Sequence, residues 1–468
     1  MNILSQSLSF LTALFVTFYP QKTYIEGFVG QPTSFFPHEA LNENDKTISK
    51  MLFRGLFTYD KEGVLTEDLA DSLDVSDDGL EYTVYLKKGQ KWSNGNEITA
   101  DDLLYSAFTA PNLKEIATDK INKYTIRYSL PNKFSPFPHI LTQGVIPATG
   151  LGTALEPVSS GPYQIVRIKK EGPIVKEVLL QSKVATYKIP RIAVRYYENN
   201  DQLFTAFKLG EIDGFISPES LVYKNLQKLE FPLGGIYYSL IFNTRNEKLE
   251  KSELRKKLAK ATPIAELIKR KGVEVKGPIS QNSYTSGELN FNEYDANYTD
   301  NLNLKLEMIV PNSSDQMELG KLIQKSWAKV GVELALKPKS SEDIEKDLVE
   351  KREFEVLLYG QEVSRDPDRY ALWHSTRSDA PGLNLSGFDN VRLDRSLEEG
   401  RNAIEVENRK KHYGVFQEVI FENAPVVFLY HPILKYYHSD RIEIPGDALS
   451  NTYYSHGRFA DFKNWDIK

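Results

Sequence analysis

"LNLKLEMIVPNSSDQMELGKLIQKSWAKVGVELALKPKSSEDIEKDLVEKREFEVLLYG", residues 302–360, decides the fold class. Its first nine residues alternate apolar and polar side chains, the period of a half-buried strand. Ser313 with Gln316 can cap a helix that carries Leu319, Leu322, Ile323, Trp327 and Val330 on one face, and Gly331 closes it just past the C-cap. "VELALKP" reads as the next strand, 341–351 as a second helix and "FEVLLYG" as a third strand. Strand, helix, strand, helix, strand predicts an α/β lobe with a largely parallel sheet.

"RDPDRYALWHS", residues 365–375, follows that third strand. It therefore lies off the carboxyl end of a sheet strand, where ligands bind in open α/β sheets. Acid beside histidine can mean proton-transfer chemistry. Aromatics interleaved with charge can equally form a wall that grips a ligand without changing it. Asp366 and Asp368 stand two apart between Arg365 and Arg369. A guanidinium lowers a neighbouring carboxyl pKa, which suits a base or an ion pair and not an acid. A structural or ligand-orienting role is favoured over catalysis, and His374 reads as a hydrogen-bonded histidine beside a cleft.

Elsewhere, "TYIEGFVGQPTSFFP" is a strand running into a Gly- and Pro-punctuated loop, and the apolar spacing from Ile48 to Tyr59 predicts a helix. Tyr82, Val84 and Leu86 alternate as a strand, "SNGN" is a turn with Gly95 at positive φ, and Thr99 with Asp102 predicts a capped helix start. The charged region from Val391 to Glu422 reads as helix broken near Gly400, stopped by Pro425 before a buried strand.

The chain has 468 residues, enough for two or three domains or one large two-lobed body. A net charge of −6 with only short basic runs argues against nucleic acid, which needs clustered Lys and Arg. Cysteine is absent, which removes disulfides, thiolate nucleophiles and Cys-based metal sites. None of the seven histidines has tight metal-ligand spacing, and neither a G-x-S-x-G elbow nor a phosphate loop occurs, so no cofactor is expected. Ile3 to Tyr19 is apolar and uncharged. A signal peptide would want a basic n-region and a small-residue cleavage site, and a core helix would keep a clear polar stripe. An uncleaved membrane anchor within 1–22 is the preferred reading.

Several stretches together carry a resemblance. They are "GLFTYDKEGVLTEDLADSLDVSDDGLEYTVYLKKGQKWSNGNEITADDLLYSAF" (55–108), "SGPYQIVRI" (160–168), "YSLIFNTRNEKLEKSELRKKLAKA" (238–261), "DPDRYALWHS" (366–375), "LSGFDNVRLDRSLEEGR" (385–401) and "APVVFLYHP" (424–432). In this order they resemble the extracellular solute-binding proteins of peptide-type ABC importers, family 5, although Lys248 and Ser252 depart from the pattern. The resemblance implies an α/β, two-lobed periplasmic-binding-protein-like fold with an additional domain inserted in the first lobe. Lobe one would comprise 23–50, 159–234 and 430–468, the extra domain 51–158 and lobe two 235–429.

The resemblance further implies a monomer that holds a peptide or other small-molecule ligand in an interlobe cleft, delivers it to ABC transporter permease subunits and catalyses nothing. Relatives carry an aspartate shortly before the "D-P" step that pairs with the ligand's amino terminus. Here the matching position is Val363, and Glu362 matches only with a shift of one residue. Either Glu362 substitutes or the ligand lacks a free amino terminus. Tyr370, Trp373, His374 and Tyr430 are expected cleft walls beside Glu362 and Asp366. The competing reading is a membrane-anchored hydrolase using the acids or the histidine of 365–375.

Overall fold

The strand–helix–strand–helix–strand pattern of 302–360 is realised as Leu304–Pro311, Ser314–Ala328, Val332–Lys339, Ser341–Glu350 and Val356–Glu362 in the computed structural model. The structure describes residues 22–269, 271–280, 283–285, 289–450 and 452–468. The expected N-terminal anchor lies outside the described residues. No helix among the described residues is long and apolar enough to cross a membrane.

The chain divides into two compact units, one of residues 22–132, 137–231 and 434–468, the other of 133–136 and 232–433. In the second unit Leu304–Pro311 runs parallel to both Val332–Lys339 and Val356–Glu362, as the pattern predicts. Ile236–Phe242 adds antiparallel to Val356–Glu362, and the first part of Val426–Ser439 adds antiparallel to Ile236–Phe242. Strand alternation then sorts the core. Leu240, Phe242, Met308 and Val310 meet Leu319, Ile323 and Trp327 of the 314–328 helix on one face. Ile241, Ile309 and Leu357 meet Phe416 and Ile420 of the Val406–Asn423 helix on the other. Each fully buried aliphatic or aromatic side chain here contributes about 1.5–3 kcal/mol.

The helix start at 313 is built differently from the expected cap. Ser313 occupies the N-cap position, but its side chain makes no cap hydrogen bond. Gln316 donates instead to the Tyr430 hydroxyl at 3.0 Å. At the far end Gly331 takes φ +77°, the left-handed residue predicted to close the helix.

The first unit holds a sheet in the order Tyr163–Glu171, Ile174–Ser182, Arg191–Tyr197, Thr23–Val29, Gly214–Ile216, followed by the last part of Val426–Ser439. A separate antiparallel sheet lines up Ala70–Val75, Glu81–Leu86, Thr125–Ser129 and Ala117–Asn122. The helix expected over 48–59 is corrected. It runs Glu43–Leu52 with Asn42 as its cap, and Phe57–Tyr59 is a strand paired with Leu65–Glu67. The turn 160–161 ends it. The Gly161 N–H donates to the Leu52 carbonyl at 2.6 Å, and a Cβ at Gly161 would lie 2.3 Å from the Met51 oxygen. Only glycine fits this approach, which explains the Gly-Pro-Tyr step in that segment.

The predicted helix start at Thr99 is present as Ala100–Thr109, with the Thr99 N–H on Asp102 Oδ2 at 2.8 Å. Asp102 Oδ1 also accepts the Ala148 N–H at 2.8 Å. Asp102→Ala is expected to cost about 1–2 kcal/mol, read as a lowered urea midpoint for the first unit. An unchanged midpoint would contradict this capping role.

The charged region expected as one broken helix forms Val391–Asn402 and Val406–Asn423, so the break falls at 403–405, just past Gly400. Gly400 stays helical because the Tyr413 ring passes over it, 3.0 Å from where a Cβ would stand. Ala424 then takes a left-handed conformation with φ 44° before Pro425. The buried Arg255 guanidinium reaches the Asn423 carbonyl at 2.7 Å and the Ala424 carbonyl at 3.2 Å, satisfying acceptors the helix end leaves open. Burial lowers its pKa to about 10.

Candidate functional site

In the second unit the Val356–Glu362 strand ends where its parallel neighbour delivers the chain to the 314–328 helix. The register places Gly360 opposite Tyr238 and Glu362 opposite Ile236. Tyr238 lies opposite Tyr430 in turn, so Tyr238, Tyr430, Gly360 and Glu362 share a sheet face. The Tyr238 and Tyr430 rings stack with centroids 5.0 Å apart and planes 12° off parallel. A Cβ at Gly360 would come within 3.0 Å of the Tyr238 ring, so the glycine makes room for the stack. Tyr430 itself is buried, which holds its phenol well above the usual range. Gln316 is buried against it with Oε1 lacking any partner.

Glu362 differs from Asp366 and Asp368 of the following loop. Its side chain is exposed and makes no hydrogen bond or ion pair among the described residues. Val363, at the position where the resemblance puts an acid, is 4% exposed and packs in the core.

The loop after Glu362 is tied down by arginines. Asp366 is buried and receives both Arg409 Nη1 and Nη2, at 2.8 and 2.7 Å. Its Oδ1 also accepts the Asp368 N–H at 2.8 Å. Arg409 donates in addition to the Tyr284 hydroxyl at 2.6 Å. Burial pushes the Tyr284 phenol up to about 12 despite this cation. Asp368 Oδ2 takes Arg401 Nε at 3.0 Å and Nη2 at 2.6 Å, while its Oδ1 accepts the Tyr370 N–H at 3.1 Å. Arg369 is fully buried and threads main-chain carbonyls, Pro278 at 2.8 Å and Asp366 at 2.7 Å among them. Three guanidiniums thus fix the path of 364–369 before any ligand arrives. Such rigidity is what a positioning loop needs.

Tyr370–Trp373 is a short helix. Tyr370 is sandwiched, with the His374 ring 4.0 Å away on one contact and the Arg401 guanidinium 4.1 Å from its centroid on another. His374 is 3% exposed, its Nδ1 2.8 Å from Thr376 Oγ1 and its Nε2 3.3 Å from Glu398. Trp373 is 2% exposed and belongs to the core beneath the loop.

Of the six residues picked from the sequence, the structure sets Glu362 and Tyr430 on one sheet face, and Asp366, Tyr370, Trp373 and His374 in the arginine-pinned loop. Neither carboxylate of the loop stands free for hydrolysis, because each is held by its own arginine. Sequence reasoning missed Arg401, Arg409, Tyr238 and Gln316. The two arginines sit in a charged helical region where a buried guanidinium looks like any exposed one. Among the described residues no group of three or more His, Asp or Glu is placed to hold a metal ion.

Residues 64–382, well over half of the chain, match the family model described as bacterial extracellular solute-binding proteins, family 5 Middle. The oligopeptide-binding protein AppA of Bacillus subtilis (strain 168) is 21% identical over 470 residues, covering 87% of this chain and 86% of AppA. The glutathione-binding protein GsiB of Shigella flexneri serotype 5b (strain 8401) is 34% identical over 155 residues, 28% of this chain and 30% of GsiB. Among solved structures, the ABC transporter substrate-binding protein CtaP of Listeria monocytogenes superposes with a TM-score of 0.80 at 22% identity, covering 96% of this chain and 99% of that one.

Proposed function

Because the chain belongs to the bacterial extracellular solute-binding proteins, family 5, we propose that it captures peptides, or a similar small solute, outside the cytoplasm and hands them to the permease subunits of an ABC importer. The observation that carries the peptide reading is Glu362. An exposed carboxylate with no hydrogen bond or ion pair among the described residues stands at the carboxyl end of a sheet strand, on the face of the Tyr238–Tyr430 stack, while the neighbouring aspartates are locked. A cationic amine meeting that carboxylate gains a charge-assisted hydrogen bond. Backbone groups at a strand end offer a peptide main-chain partners. Two relatives point the same way by their names, one oligopeptide-binding and one glutathione-binding.

In this reading Glu362 holds the ligand's amino terminus in place of the acid missing at 363. Tyr370, part-exposed, supplies a fixed wall, with Asp366, Trp373 and His374 holding it from behind. Residues 51–158 form the additional domain, residues 1–22 tether the protein to the outer face of the membrane, and the chain works as a monomer.

Native mass spectrometry of residues 23–468, purified gently from cells, tests the assignment. A ladder of peptide masses that vanishes on denaturation is expected. A single non-peptide mass would keep solute capture and discard the peptide. A protein that carries nothing, and that takes up nothing from a peptide pool, would contradict the assignment.

A further inference from the structure

The first unit contains a cavity of about 340 Å³ between the Glu43–Leu52 helix and the 139–144 segment. That size falls within the range of small-molecule pockets. Its lining residues include Lys50, Asn112 and Gln143, together with the apolar Phe53 and Ile140.

No carboxylate lines it. On the same helix, Glu43 is engaged by Lys46 at 3.1 Å, by His456 Nδ1 at 3.1 Å and by the Ser455 hydroxyl, and Asp45 Oδ2 accepts from Thr33 Oγ1 at 2.7 Å and from Asn42 Nδ2 at 2.8 Å. Asp68, whose charge reaches Lys50, is held by Arg54 Nε at 2.8 Å. Lys50 makes no hydrogen bond or ion pair among the described residues, and neither amide has a partner. Lys50 is an exposed residue, and desolvation lowers its pKa while Asp68 opposes the shift. Lys50 and the two amides therefore carry donors that no described residue uses, and a carboxylate can accept from all of them.

The wall is built to close tightly. A Cβ at Gly144 would stand 2.7 Å from Phe53 Cβ and 2.8 Å from Pro37 Cγ, so only glycine lets the 139–144 segment pack against the helix end.

We propose that this cavity is a binding site for a small carboxylate with an apolar body. The carboxylate pairs with Lys50 and accepts from the Asn112 and Gln143 amides, while the body rests on Phe53 and Ile140. The site lies wholly inside the first unit and stands apart from Glu362, so it does not depend on the peptide reading.

Calorimetric titration of the full chain with sodium benzoate, and with benzamide as the uncharged isostere, tests it. Benzoate is expected to bind saturably and benzamide at least about tenfold more weakly, the loss of one charge-assisted contact. Lys50→Gln is expected to weaken benzoate by about tenfold, Lys50→Arg to restore most of it, and both variants to keep the cargo seen by native mass spectrometry. Equal binding of benzoate and benzamide, no effect of Lys50→Gln, or no saturable benzoate binding up to about 10 mM would each overturn the proposal. Loss of cargo from wild type alone would strike the peptide reading and leave this site standing.

Discussion

Replacing Arg409 by Met is expected to destabilise the 364–378 loop and the 406–423 helix by about 3–5 kcal/mol, the cost of stranding a buried carboxylate. The cause is geometric. Asp366 is 2% exposed and both its oxygens face the Arg409 guanidinium, so no water can take over when the cation goes. Burial works against the Arg409 charge, but Asp366 beside it more than compensates and holds the pKa above its ordinary value. The double variant Asp366→Asn, Arg409→Met removes both charges at once. It should lose distinctly less than the sum of the two single variants, because the penalty belongs to the unpaired partner and not to the pair. Hydrogen exchange on peptides from 364–378 and 406–423 reads the local opening directly. A loss below about 1 kcal/mol in Arg409→Met would show that the carboxylate finds another partner, and the view of the loop as pre-fixed would fall.

The second large effect concerns Glu362. If this carboxylate holds the ligand's amino terminus, Glu362→Gln should weaken a peptide by about 1.5–3 kcal/mol, roughly 10- to 150-fold in Kd. Acetylating the peptide's amino terminus should cost wild type a similar amount and cost Glu362→Gln little further. This non-additivity separates a direct pair from a general change in field. Glu362 is exposed and has no hydrogen bond or ion pair among the described residues, so the substitution leaves no buried group unsatisfied and the fold should be unchanged. Acetylation without effect on wild type, with Glu362→Gln equally silent, would remove Glu362 from the site. The ligand would then be one without a free amine, in keeping with Val363.

What could be read from the chain follows the range of the forces involved. The alternation of Leu306, Met308 and Val310 and the left-handed Gly331 depend on neighbours within a turn or a strand, and the structure has them as expected. The 48–59 reading failed because periodicity ran on through Leu56, while Phe53 is already extended and the Leu52 carbonyl is taken by Gly161, more than a hundred residues away. Gln316 shows the same limit. Its position suited a cap, but a tyrosine from the 426–439 strand reached it first. At the site, the choice of Asp366 and Asp368 was legible as acids flanked by arginine, yet Arg409 and Arg401, more than thirty residues further on, grip them in paired hydrogen bonds. Arg369 serves main-chain carbonyls instead. Sequence neighbours supplied the charge pattern, and tertiary packing decided the pairs.

Capture without turnover is tested most directly by returning the cargo to the empty protein. The cargo released from residues 23–468 by denaturation would be returned, in titrated amounts, to the same protein freed of ligand, with heat recorded and the mixture then weighed by mass spectrometry. Saturable one-to-one binding, with every ligand mass recovered unchanged, is the predicted result. Cleaved products, or no heat and no complex at any ratio, would contradict it.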